Sequence, residues 1–130
     1  MTPGEIRGAL LSRPRDAFRL TLAGEAAGEP ITGRVAVAWV IRNRVTADVG
    51  HDGRADWWGE GYAAVCLCLW QFSCWWEKGA PNTIRLFALA DRLLTNALTP
   101  IDRAMLDPLS AVVDGVMSGA IADPTDGATH

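Results

Sequence analysis

The sequence predicts a mainly helical fold, on three observations. Phe18, Leu22 and Ala26 recur at helical spacing, with Leu20 and Ala23 beside that stripe. The apolar stretch from Gly33 to about Ala47 contains many β-branched residues, but its length favours a helix over a strand. Leu86, Ala90, Leu93, Leu94 and Ala97 repeat the helical period farther along. With 130 residues, no internal repeat and no linker, residues 1–130 form one expected domain around one core.

Taken in order, the first helix covers residues 15–27 and stops near Gly28, because Pro30 disfavours helix at Glu29. Thr32 serves as the expected N-cap of the next helix, Gly33 to about Ala47. Its Val35, Val37, Ala38, Val40, Ile41 and Val45 nearly encircle it, which predicts a central, buried helix. Residues 48–60 are rich in Gly and Asp, include Trp57-Trp58, and read as an exposed loop. A short helix from Tyr62 to Leu69 and an irregular aromatic stretch follow. Pro81-Asn82-Thr83 opens a helix from Ile84 to about Leu98, ended by Pro100. Pro108 fits the first turn of a last helix through about Ile121, before a turn-like tail. The fold leaves room for a small β-hairpin.

Hydrophobic residues at 49% and charged residues at 21% place the chain among globular proteins and exclude disorder. A net charge of −3 gives no global attraction for nucleic acid or an anionic surface, and Arg13, Arg15 and Arg19 are too few to change that. Three cysteines, Cys66, Cys68 and Cys74, leave one unpaired, so the expected compartment is reducing, without a disulfide framework. No apolar run approaches the ~20 residues of a membrane span. Glu5, Arg7 and Arg13-Pro14-Arg15-Asp16 interrupt any signal-peptide core, so the expectation is a protein made in the cytoplasm.

The chemistry concentrates at Ala23-Gly24-Glu25-Ala26-Ala27-Gly28-Glu29-Pro30, which sets a carboxylate among very small side chains at a helix end. Those small neighbours are expected to leave open space for a bulky substrate beside Glu25. Trp70-Gln71-Phe72-Ser73-Cys74-Trp75-Trp76 adds aromatic surface and uncharged hydrogen-bonding groups, suited to sugar rings, hydroxyls and acetamido groups. An acid beside such a wall is the chemistry of a sugar-cleaving cleft. Keeping a carboxylic acid protonated to about pH 6 costs about 2.3 kcal/mol, and a helix C-terminus supplies only about 0.3–1 kcal/mol. Desolvation must supply the rest, and the Trp-rich segment is its expected source. The competing readings are a solvated Glu25 and a turn at Gln71-Phe72-Ser73 whose aromatics fill the core. Glu29, past the helix end, reads chiefly as a structural or backbone-capping carboxylate.

Other chemistries fit less well. A nucleophilic Cys needs a basic partner, and the only histidines are His51, in the loop, and His130, at the terminus. Cys66 and Cys68 lie in an apolar run and read as core. Two His and a Cys66-Leu67-Cys68 pair make a poor zinc set, so neither metal nor cofactor is expected. No phosphate loop, Ser elbow or nucleic-acid signature is present.

Together these residues resemble the cell-wall hydrolase family of the spore-cortex-lytic enzymes, whose members also occur in phages and phage-like particles. The resemblance runs through Leu22-Ala23-Gly24-Glu25-Ala26-Ala27-Gly28-Glu29-Pro30 and Gly33-Arg34-Val35-Ala36-Val37-Ala38-Trp39-Val40-Ile41-Arg42-Asn43-Arg44-Val45. It resumes at Gln71-Phe72-Ser73-Cys74-Trp75 and at Asp123-Pro124-Thr125-Asp126-Gly127-Ala128-Thr129-His130. It implies a compact lysozyme-like or lytic-transglycosylase-like helical fold acting on peptidoglycan glycan strands. It also implies that Glu25 is the catalytic acid, with Gln71, Phe72, Ser73, Trp75, Glu29 and Thr129 binding substrate. Asn43 and Arg44 read as orienting the loop that bears Glu25. Two departures stand out: the family usually carries Gly at Asp126, and an aromatic run after the Thr129-His130 pair. Either the native chain is longer or the end of the cleft is built differently.

One clear acid frames the mechanism. A second carboxylate about 5–5.5 Å away would suit retention, and one about 6.5–9.5 Å away a base-activated water. Asp56, Glu60, Asp123 and Asp126 are the candidates. Without one, the sugar's own 6-hydroxyl attacks and leaves an anhydro sugar, the lytic transglycosylase outcome, which is the favoured reading. The expected setting is phage-type lysis or wall penetration, after release through a pore or in a particle. The alternatives are an N-acetylmuramoyl-L-alanine amidase and a non-catalytic peptidoglycan-binding module. The oligomeric state is not legible.

Overall fold

The computed structural model describes residues 1–26, 28–47, 61–68 and 71–129. Two helix starts are set by the same local device. At α1 (Pro3–Leu10), the Thr2 hydroxyl accepts from the Glu5 N–H at 3.2 Å, and the Glu5 carboxylate accepts from the Thr2 N–H at 2.9 Å. At α6 (Pro100–Ser118), Thr99 and Asp102 exchange the same pair of bonds, each 3.0 Å. In both, proline fills the first turn, where its missing N–H costs nothing. Between them lie α2 (Pro14–Ala26), α3 (Ile31–Thr46), α4 (Gly61–Leu67), a 3₁₀ turn (Ser73–Trp75) and α5 (Pro81–Leu94).

The molecule is mainly α-helical, as the periodicity predicts, and the described residues contain no strand, so the allowed hairpin is not seen among them. The central helix, however, is α2 and not α3. α2 packs against α1, α3, α4, α5, α6 and the 3₁₀ turn, and buries Ala17, Phe18, Leu20, Thr21, Leu22 and Ala26. In α3 only Ala38, Ile41 and Arg44 are buried. Its surplus apolar residues Ala36, Val37 and Val40 line a cleft instead, so their encircling pattern marks a cleft wall and not an enclosed helix.

Boundaries differ where proline was read the wrong way round. α5 ends at Leu94, with Thr95 as its cap, so Ala97 lies beyond the helix and is exposed. Pro100 starts α6 and does not stop α5. Pro108 sits inside α6, on its exposed side, where the Ala104 carbonyl it leaves without a helical donor is also on the exposed side. Thr32 is within α3, whose N-cap is Pro30 without a side-chain bond. α6 closes at Gly119, whose φ of 79° is the left-handed conformation glycine adopts freely. No helix among the described residues is long and apolar enough to cross a membrane.

The core runs through all six helices and is centred on Trp75, Phe18, Leu10, Leu20, Leu22 and Val113. Trp75 is 0 % exposed, and its indole N–H donates to the Thr21 hydroxyl at 2.9 Å. Thr21 in turn donates to the Ala17 carbonyl at 2.7 Å. That chain satisfies the buried polar edge of a ring placed for packing.

Candidate functional site

Glu25 lies in the last turn of α2, on the exposed side of the helix that touches every other described element. Its Oε1 accepts the Cys74 backbone N–H at 3.3 Å, which ties the end of α2 to the 3₁₀ turn. The small residues beside it have two different jobs. A side chain at Gly24 would meet Cys74 Cβ at 2.7 Å, Cys74 Sγ at 2.8 Å and Leu86 Cδ2 at 2.8 Å, so Gly24 permits close packing and does not provide open space. Gly28 has nothing within 4 Å of an added Cβ and does open onto the cleft. The expectation of empty space therefore holds at Gly28 and fails at Gly24.

Two hollows meet at Glu25. The first, about 590 Å³, is walled on the far side by α5 and α6 through Asn82, Arg85, Leu89, Arg92, Asp102 and Met105. The second, about 460 Å³, runs between α3 and the segment around Gln71 and Phe72, and reaches Thr125 and Ala128. Glu25 borders both, which makes one carboxyl the divide between two stretches of groove. Gln71, half-buried, and Phe72, buried, stand in the second hollow, with the Arg44 guanidinium 5.0 Å from the Phe72 ring centre.

Four other expected residues are not wall residues of these hollows. Trp75 is sealed in the core and presents no face to a ligand on the Glu25 side. The desolvation expected from it is thus not supplied there, because its ring is committed to Thr21 and to an edge contact with Phe87, 5.4 Å between centroids. Ser73 is exposed at the start of the 3₁₀ turn. Glu29 is exposed and folds back onto the first turn of α3, its Oε2 3.2 Å from where a Gly33 Cβ would stand. Thr129 offers its carbonyl to Arg44 Nε at 2.6 Å. Trp57-Trp58, Asp56, Glu60, Trp70 and His130 lie outside the described residues.

Asn43 and Arg44 hold the C-terminal loop, and Arg44 shares the second hollow with Glu25. Asn43 Nδ2 donates to Asp123 Oδ2 and to the Ala128 carbonyl, both at 3.0 Å. Trp39 and Arg42 reach the Ile121 and Val116 carbonyls at 3.0 and 2.6 Å. The polar side of α3 is thus a clamp for residues 116–129, and so the Asn43-Arg44-Val45 and Asp123–Thr129 blocks, far apart in sequence, are one structure. Asp126 takes φ 56°, a left-handed conformation that aspartate tolerates better than most residues.

Within that loop Asp123 is the hub. It accepts from the Thr125 N–H and hydroxyl at 2.7 and 2.6 Å, from the Gly127 N–H at 3.0 Å, and from Asn43. These bonds, the Thr125 hydroxyl first, hold its carboxyl down at about 2. A depressed carboxylate contributes stability above its unfolded value, near 4, and loses it as pH falls towards 2. The expected result is loosening of residues 123–128 over that window, read as loss of protection of the Thr125 and Gly127 amides by NMR. Unchanged protection at pH 2 would remove Asp123 as the organiser.

Neither Asp123 nor Asp102 is a spare carboxylate. Asp102 accepts Arg92 Nε and Nη2 at 2.8 and 2.9 Å, and that pairing, with the Thr99 N–H, depresses its carboxyl strongly. The thiols are equally committed. Burial, reinforced by the facing Glu25 carboxylate, pushes the Cys74 thiol far up, and burial pushes Cys66 up to about 12. Neither is a thiolate nucleophile near neutrality. Asn82, Arg85 and Arg92 were missed in the sequence. Their signal is a polar stripe at helical spacing along the edge of the apolar face of α5, and Asn82 further bonds the Gly24 carbonyl at 2.8 Å.

No curated protein and no solved structure matches this chain. The family model described as Cell Wall Hydrolase matches residues 28–130, opening just beyond Glu25 and covering α3, the Gln71–Trp75 segment and the C-terminal loop. With that span covering most of its length, the chain belongs to the cell wall hydrolase family.

Proposed function

We propose that this protein cleaves the glycan strands of peptidoglycan, as a lytic transglycosylase of the spore-cortex-lytic type, with Glu25 as general acid. The observation that carries the reading is Glu25 at the meeting of two hollows, about 590 and 460 Å³, which suits a polymer passing on both sides of the reacting bond. Gln71 offers neutral hydrogen bonds to sugar substituents on one side of it, and Asn82 and Arg85 stand on the other.

Glu25 donates its proton to the bridging glycosidic oxygen as the bond to the anomeric carbon breaks. The 6-hydroxyl of the same muramic sugar attacks that carbon and returns its proton to Glu25, which leaves a 1,6-anhydro end and a regenerated acid. Asp102 and Asp123 are each committed, to Arg92 and to Asn43 and Thr125, so neither supplies the nucleophile in this reading. Mass spectrometry of digested sacculi distinguishes the outcomes. Anhydro-muropeptides are expected; reducing muramic ends would make the enzyme a hydrolase, and free stem peptides an amidase.

A further inference from the structure

A third hollow, of about 580 Å³, shares no lining residue with the two at Glu25. It lies between α1, α5 and the turn after Trp75, and α5 turns a different side to it, carrying Thr83, Ile84 and Phe87. The Arg7 guanidinium stacks 4.2 Å from the Trp76 ring centre and 5.5 Å from that of Phe87. Ile84 is 60 % exposed beside them, and Lys78 stands exposed on the rim.

Charge decides what this hollow suits. The chain carries a net charge of −3, yet both ionisable side chains lining this hollow are cations. Neither Arg7 nor Lys78 forms an ion pair with a described residue. Arg7 donates one Nη1 bond to the Trp75 carbonyl at 3.2 Å, and its Nε and Nη2 edge bonds no described residue. Aromatic stacking fixes the plane of that guanidinium, so the remaining edge offers the paired donors that a carboxylate accepts. A guanidinium edge, one ammonium and an apolar floor fit a short ligand with small apolar side chains and one or two carboxylates. A polyanion would need a longer run of cations.

We propose that this hollow binds the peptide stem of peptidoglycan through its carboxylates, and so anchors the protein to the wall apart from the groove at Glu25. The assignment rests on the peptidoglycan reading above. The stem sets an acidic and a diamino residue between alanines and ends in a free carboxylate, which matches an apolar floor with cations at its edge.

The test uses the full chain and a synthetic stem pentapeptide ending in D-alanyl-D-alanine. Titration followed by NMR is expected to show saturable shifts at the Trp76 indole and the Ile84 methyls. Lys78→Glu and Ile84→Glu, both at exposed positions that leave folding intact, are each expected to weaken binding tenfold or more. A pentapeptide with its carboxylates amidated should bind more weakly by a similar factor. Equal binding by wild type and Lys78→Glu, or no shift at Trp76 at millimolar peptide, overturns the assignment. Glycan strands stripped of peptide separate the two readings. Lys78→Glu should cut them at the wild-type rate, whereas wild type failing to cut them counts against the glycan-cleaving groove and leaves the peptide site to be judged by the titration.

Discussion

Glu25→Gln is expected to lower glycan cleavage by about 10²–10⁴-fold, the range for loss of a positioned general acid. The substitution keeps the size of the side chain and leaves a carbonyl oxygen able to accept the Cys74 N–H, so the bond from α2 to the 3₁₀ turn survives. Only the transferable proton is lost. The readouts are anhydro-muropeptide release and circular dichroism, the second of which should not change. Glu29→Gln is the matched control, because that carboxylate lies against the start of α3 and not in the groove. Activity within severalfold of wild type for Glu25→Gln would sink the mechanism.

Trp75→Ala is expected to destabilise the fold by about 3–5 kcal/mol, the usual range for deleting a large buried aromatic. In a chain of this length that lowers the melting temperature by about 10 °C or more. Trp75 is 0 % exposed, and its loss also strips the Thr21 hydroxyl of its indole donor. Trp75→Phe keeps most of the volume and loses the indole bond, so a smaller drop is expected. The discriminating measurement is activity per folded molecule at low temperature. A core residue lowers melting while that activity holds for Trp75→Phe. A substrate-stacking residue would lower activity with melting unchanged, and that pattern would return Trp75 to the site.

These two residues also mark how far the sequence could be read. Glu25 was legible because an acid among very small residues at a helix end is unusual and local. Trp75 was misread because a tryptophan serves a core and a sugar platform equally well, and only a partner such as Thr21, 54 residues away, decides between them. The helical stripes of α2 and α5 were legible in the same local way. The start of α6 was written in the sequence as Thr99-Pro100-Ile101-Asp102, with the same spacing as Thr2-Pro3-Gly4-Glu5 at α1. Reading Pro100 only as a stop concealed it.

The far wall of the groove was the least legible part. Arg85 and Arg92 reach it from a helix more than 50 residues beyond Glu25, so their relevance depends on how α5 leans against α2. The valines of α3 misled for a related reason. A cleft wall needs apolar side chains much as an interior does, and spacing alone does not tell the two apart. The C-terminal loop resolved the other way: its residues were noted individually, and the clamp from α3 explains why they occur together.

Because every other described helix leans on α2, the proposed proton donor is mounted on the hub of the molecule while the walls around it belong to the periphery. Breathing of the outer helices can widen or narrow the passage for a stiff sugar polymer without shifting the acid. The protein can thus accept a bulky, irregular substrate and still present its reactive group at a fixed address.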